Sequence, residues 1–132
     1  MSTRVTGLFD VKLTPQAADE SGAGLGRFTI DKQFHGDLEA TSAGQMVSAG
    51  VSGKGSAGYV AIERVTGTLS GLRGSFVLQH NGLMTRGVPS LAIVVVPDSG
   101  TGELEGLSGK MEIIIAGGKH SYDFEYSIAP AP

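Results

Sequence analysis

Few residues in this chain could carry chemistry, and most of them lie in segments that read as strands. In Tyr59-Val-Ala-Ile-Glu-Arg-Val-Thr-Gly67, alternation puts Glu63 on one face with Tyr59, Ala61 and Val65. Arg64 falls on the opposite face with Val60 and Ile62. A carboxylate among apolar neighbours is costly unless it is paired or wet. Glu63 is therefore either half of a cross-strand ion pair or a group that orients or deprotonates a ligand, its pKa raised by burial. In Ser75-Phe-Val-Leu-Gln-His-Asn81, His80 shares a face with Phe76 and Leu78, and Gln79 with Ser75 and Val77. An imidazole titrates near neutrality, which suits an acid/base role, although a hydrogen-bonded strand end would also use one.

A short glycine turn separates these two segments, so they are expected to pair antiparallel, with opposed side chains roughly 5 Å apart. Glu63 then meets His80 or Gln79, depending on register, because a one-residue slip exchanges the two. Tyr122, Phe124, Tyr126 and Ile128 share a face of the last segment, either as core or as the lining of an apolar pocket. Glu63 and His80 are the candidate catalytic pair, and Tyr59, Gln79, Tyr122 and Tyr126 the candidate ligand contacts. If Glu63 serves a ligand, Glu63→Gln should leave folding nearly intact and weaken binding tenfold.

His35, Asp37 and Glu39 would share one face of an extended segment, a spacing that could hold a metal. A solvated polar stripe is the commoner meaning of such a run, and no metal or cofactor is expected. The absence of cysteine removes disulfides and thiolate metal sites. No G-x-S-x-G elbow is present. Thr66-Gly-Thr-Leu-Ser-Gly-Leu-Arg-Gly74 recurs as Thr101-Gly-Glu-Leu-Glu-Gly-Leu-Ser-Gly109, and each copy leads into an apolar strand. A phosphate-cradling loop needs a helix after its glycines, so the repeat reads as twin hairpins.

The elements that position these residues follow from periodicity. Strand-like runs cover 5–13, 28–34, 36–46, 59–69, 75–84, 91–96, 102–104, 110–116 and 120–128. Between them, 17–26 reads as a loop with room for a short helix before Leu25, and 47–56 as a flexible loop. The chain has 132 residues, enough for one domain with a real core, and ends in the frayed tail 129–132. Glycine numbers 21, about twice its usual share. With 40% hydrophobic and 17% charged residues the chain is not disordered. A net charge of −3 argues against nucleic acid or an anionic membrane as partner. Neither a secretory signal nor a membrane span is evident, and a cytoplasmic location is expected.

Several strands, notably 91–96 and 111–115, are apolar on both faces, yet no helical segment is present to cover a parallel sheet. An all-β fold, a single antiparallel barrel of about eight strands, gives such strands a lumen on one side. The other side then calls for a partner subunit, and dimers or trimers are expected.

Beyond this, Phe34-His-Gly-Asp-Leu-Glu-Ala-Thr-Ser42, Gly55–Leu69, Gly74–His80, Val96–Leu104 and His120–Tyr126 carry a resemblance to a known family. These segments resemble a bacterial family of unknown function whose members adopt an allene oxide cyclase-like β-barrel, and the likeness extends over nearly the whole chain. The resemblance implies a barrel cavity able to take an apolar small molecule. None of that enzyme's catalytic residues is carried over, since no motif here matches them. The function expected is binding, or isomerising or cyclising, a hydrophobic small molecule in the lumen. The alternative is a carrier or structural module without catalysis.

Overall fold

The computed structural model describes residues 2–17 and 24–130. The strands are β1 (Thr3–Pro15), β2 (Gly26–Phe34), β3 (Leu38–Val51), β4 (Ser56–Leu69), β5 (Leu72–Thr85), β6 (Val88–Val95), β7 (Leu107–Ala116) and β8 (Lys119–Ile128). Each pairs antiparallel with the next, and β8 closes on β1 from Thr3↔Tyr126 to Phe9↔His120. Closure joins the last strand to the first and sends alternate side chains into one lumen. The inward set includes Phe34, Ala40, Val65, Phe76, Leu78, Ile93 and Phe124, all buried. Among the described residues no helix is long and apolar enough to cross a membrane.

The two ends of the barrel differ. One is plugged by Leu38, Leu69, Leu104 and Leu107, beneath the stacked rings of Phe76 and Phe124 at 5.8 Å. Here 102–104, which reads as a strand in the sequence, forms a 3₁₀ turn instead. The reason is that the chain leaving β6 follows β5 through backbone and side-chain bonds. Ser99 Oγ accepts from Val77 N at 3.0 Å, and Thr101 Oγ accepts from Ser75 N at 3.1 Å. β6 and β7 share only the pairs Ile93↔Met111 and Val94↔Lys110. Of the two glycine-rich copies, only the first is a hairpin, joining β4 to β5 through Ser70 and Gly71. Leu69 and Leu104 occupy the same place in the repeat, and both are buried in this plug. The repeat thus serves one packing need with two backbone forms.

At the other end the hairpin arms are longer than the sequence suggests. The supposed loop 47–56 is strand up to Val51↔Ser56, with a turn over 52–55. Its serines and glycines look flexible, but backbone pairing with β4 holds them extended. Gly53 and Gly55 supply the positive φ that closes the turn. The short helix considered before Leu25 falls largely on 18–23, outside the described residues. Ala129 and Pro130 carry no regular structure, and the rest of the tail is likewise outside them.

Candidate functional site

Four polar side chains meet across the middle of the lumen, one from each of β2 to β5. The register sets Lys32 opposite Ser42, Gly44 opposite Glu63, and Ala61 opposite His80. Barrel strands tilt, so the chemistry runs along the diagonal and not along the directly opposed pairs. Glu63 Oε2 accepts from Lys32 Nζ at 2.8 Å and lies 2.5 Å from His80 Nε2. Glu63 Oε1 accepts from Ser42 Oγ at 2.7 Å. Glycine at position 44 leaves the room Glu63 needs, because a Cβ there would lie 2.7 Å from the Glu63 Cα and Cβ.

Glu63 is wholly shielded from solvent. Burial alone would raise its carboxyl above the ordinary 4.5, but the His80 hydrogen bond and the Lys32 charge outweigh it and hold the pKa at about 2. The raised pKa expected from the sequence is thereby reversed, because the apolar face also delivers a lysine and a histidine. An ionised carboxylate only accepts hydrogen bonds, so the shared proton resides on His80 Nε2. His80 Nδ1 makes no protein hydrogen bond among the described residues, and with the proton on Nε2 its lone pair is an acceptor. The Lys32 ammonium lies 5.2 Å from the Phe9 ring centroid and 5.6 Å from that of Phe34. It carries three N–H donors, and among the described residues only Glu63 accepts from it.

Above this floor, toward the unplugged end, lies a cavity of about 300 Å³. Its walls are apolar, formed chiefly by Val11, Ile30, Met46, Ala61, Leu91 and Ile113. Lys32, His80, Tyr59 and His120 supply its polar groups. Tyr59 tilts toward His80 with ring centroids 6.3 Å apart, and its hydroxyl pKa is raised by burial and then by the Glu63 charge. His120 packs edge-on against Phe9 at 5.4 Å.

Of the residues singled out in the sequence, the structure brings Glu63, His80 and Tyr59 together on the lumen side. The register settles the choice between His80 and Gln79. Gln79 pairs with Ile62 and is exposed on the outer wall, away from the cavity, so a lumen contact is closed to it. Tyr122 and Tyr126 face inward but in the plugged half, and neither lines the cavity. The Tyr122 hydroxyl donates to His35 O at 2.8 Å and accepts from Leu38 N at 3.1 Å. Tyr126 donates to Ser70 Oγ at 2.8 Å. Both hydroxyls are satisfied by the chain that closes the end.

His35, Asp37 and Glu39 do not share a strand face, because 35–37 is the β2–β3 turn, with Gly36 at φ 109°. On the exterior, His35 Nε2 lies 3.0 Å from Asp10 and its Nδ1 3.7 Å from Glu39. Among the described residues no three acidic or histidine side chains are grouped to hold a metal. Sequence reasoning passed over Lys32, Ser42 and His120. A signal for Lys32 was present, since it shares a strand face with Ile30 and Phe34. A lysine on an apolar face implies a buried anion across the sheet.

The fold and site together define a closed eight-stranded antiparallel barrel with a Lys–Glu–His cluster under an apolar mouth. The chain belongs to the DUF3224 family of proteins of unknown function, whose profile it matches over residues 5–126. It is also similar to a protein of unknown function from that family in Shewanella oneidensis MR-1, known from a crystal structure at 1.84 Å. The two are 56% identical with a TM-score of 0.94, over 99% of this chain and 100% of the other. No curated protein matches the chain.

Proposed function

We propose that the barrel binds an apolar small molecule in its mouth, with an oxygen acceptor of the ligand seated on Lys32, beside His80. The observation that carries this reading is the Lys32 ammonium, buried at the floor of an apolar cavity with two N–H donors unmatched by the described protein groups. Unmatched buried donors are costly, and an incoming carbonyl or hydroxyl oxygen satisfies them. Glu63 cannot serve as an acid here, being ionised. Its part is to hold Lys32 and His80 in place.

The same floor suits an isomerisation or cyclisation that needs no cofactor. Lys32 polarises a ligand carbonyl, and His80 Nδ1 takes a proton from the adjacent carbon. The imidazolium, steadied by Glu63, returns that proton to another atom of the ligand, so no atom is gained or lost. The apolar outer wall, which includes Val47, Val60, Ile62 and Val94, supports association with a second copy.

Calorimetric titration with 2-decanone tests the binding step. Lys32→Met should weaken binding tenfold or more, and Ala61→Leu, which fills the cavity floor, should abolish it. Absence of binding to the unmodified protein, or equal affinity in all three, overturns the reading. Proton exchange at the ketone's α-carbon in D₂O, followed by NMR, tests the chemistry. Exchange that depends on His80 supports catalysis, and binding without exchange makes the barrel a carrier.

A further inference from the structure

The lumen cavity does not end at Tyr59. On the far side of that ring lies a second apolar groove of about 310 Å³, between the arms of the long β3–β4 and β5–β6 hairpins. Met46, Tyr59 and Leu91 line both spaces, so the two are contiguous. Ala57, Met84 and Pro89 belong to the groove alone. The ring of Tyr59 is seated over Gly82, where any Cβ would overlap it, and that glycine is what lets the ring lie flat between the spaces. Either space alone sits at the small end of the 300–1,000 Å³ typical of ligand sites, and the two together reach its middle.

We propose that the groove is the tail subsite of the same ligand, and that Tyr59 is the residue that sets ligand length. The ligand class is an elongated apolar molecule with one oxygen head, its head on Lys32 and its tail passing Tyr59 toward Met84 and Pro89. This rests on the lumen reading above and extends it to specificity. The apolar walls continue past Tyr59, while the buried Lys32–Glu63–His80 cluster lies at the lumen floor. A head-in, tail-out orientation is the one that satisfies both regions.

The test is a homologous series of methyl ketones, from 2-hexanone to 2-dodecanone, titrated into the full chain. Affinity should rise about fourfold per methylene, the value of one buried CH₂, and continue to rise beyond the length at which the lumen cavity is full. Ala57→Trp and Met84→Trp change exposed groove positions where an aromatic suits a strand. Each should stop the rise at the shorter chains and leave 2-hexanone affinity unchanged. Tyr59→Ala should move the optimum to longer chains. If short ketones bind and neither tryptophan variant alters the length profile, the tail subsite is refuted while the lumen reading stands. If no ketone of any length binds, the lumen reading fails and the subsite with it.

Discussion

Lys32 and Glu63 stand on strands separated by β3, yet their charged ends meet at 2.8 Å inside the barrel. Neither strand shows the pair by itself, and β3 makes it possible by presenting only small side chains, Ser42 and Gly44, between them. Such a pair is sensitive to the loss of one member, because the survivor is left as an uncompensated buried charge. The structure therefore changes the expectation for Glu63→Gln.

Glu63→Gln should destabilise the fold by about 3–5 kcal/mol, the usual cost of breaking a buried ion pair. Adding Lys32→Met should recover much of that loss, since no charge is then stranded. Urea unfolding of the two single variants and the double variant measures the coupling. A single-variant loss under about 1 kcal/mol would place the pair among the weak, solvated kind.

Stability should also fall in acid. The Glu63 carboxyl is held at about 2 in the folded chain against an ordinary 4.5. A depressed carboxylate contributes stability that is complete above the ordinary value and lost as pH falls through the folded one. That contribution is on the order of 3 kcal/mol. Unfolding midpoints between pH 6 and 2.5 should drop steeply in the unmodified protein and less so in the Glu63→Gln/Lys32→Met variant.

Gly44→Ala should cost about 1–3 kcal/mol, as overpacking does in tight cores. The added methyl meets backbone and Cβ atoms of Glu63, which cannot swing aside. Thermal unfolding reads the loss. Weakened ketone binding should accompany it, because the Glu63 contacts to Lys32 and His80 would shift.

Tyr122→Phe separates a core tyrosine from a ligand contact. It removes the acceptor for Leu38 N and the donor to His35 O, at a cost of about 1–3 kcal/mol for the groups left unpaired. Ketone affinity should stay at the unmodified value. A tenfold loss of affinity without loss of stability would move Tyr122 into the binding site.

The outer wall predicts association. Val47 and Val60 are paired neighbours on it, with Ile62 and Val94 further along. Light scattering at micromolar concentration should report a dimer or trimer, and Val60→Lys with Ile62→Glu should shift it to monomer. A monomer in the unmodified protein would refute this.

How much of this was legible beforehand can be judged from single residues. Two-residue alternation from Tyr59 to Val65 and from Phe76 to His80 placed Glu63 and His80 on apolar faces, because side-chain direction in a strand depends only on local backbone geometry. The same rule gave the all-β class, and strands apolar on both sides pointed to a closed barrel. Register was not local. Whether His80 or Gln79 faced Glu63 depended on the β4–β5 turn, and the closed sheet settled it as His80. Lys32 could be matched to its anion only once β2, β3 and β4 lay side by side, since Glu63 is 31 positions further along the chain. The sign of the Glu63 pKa shift turned on that meeting as well. Burial, readable from the strand pattern, favours the neutral acid, whereas the ammonium and imidazole brought in by tertiary structure favour the anion. Which end of the barrel opens was likewise decided in three dimensions, where Leu104 and Leu107 fold in to plug one end and leave the cavity at the Tyr59 end.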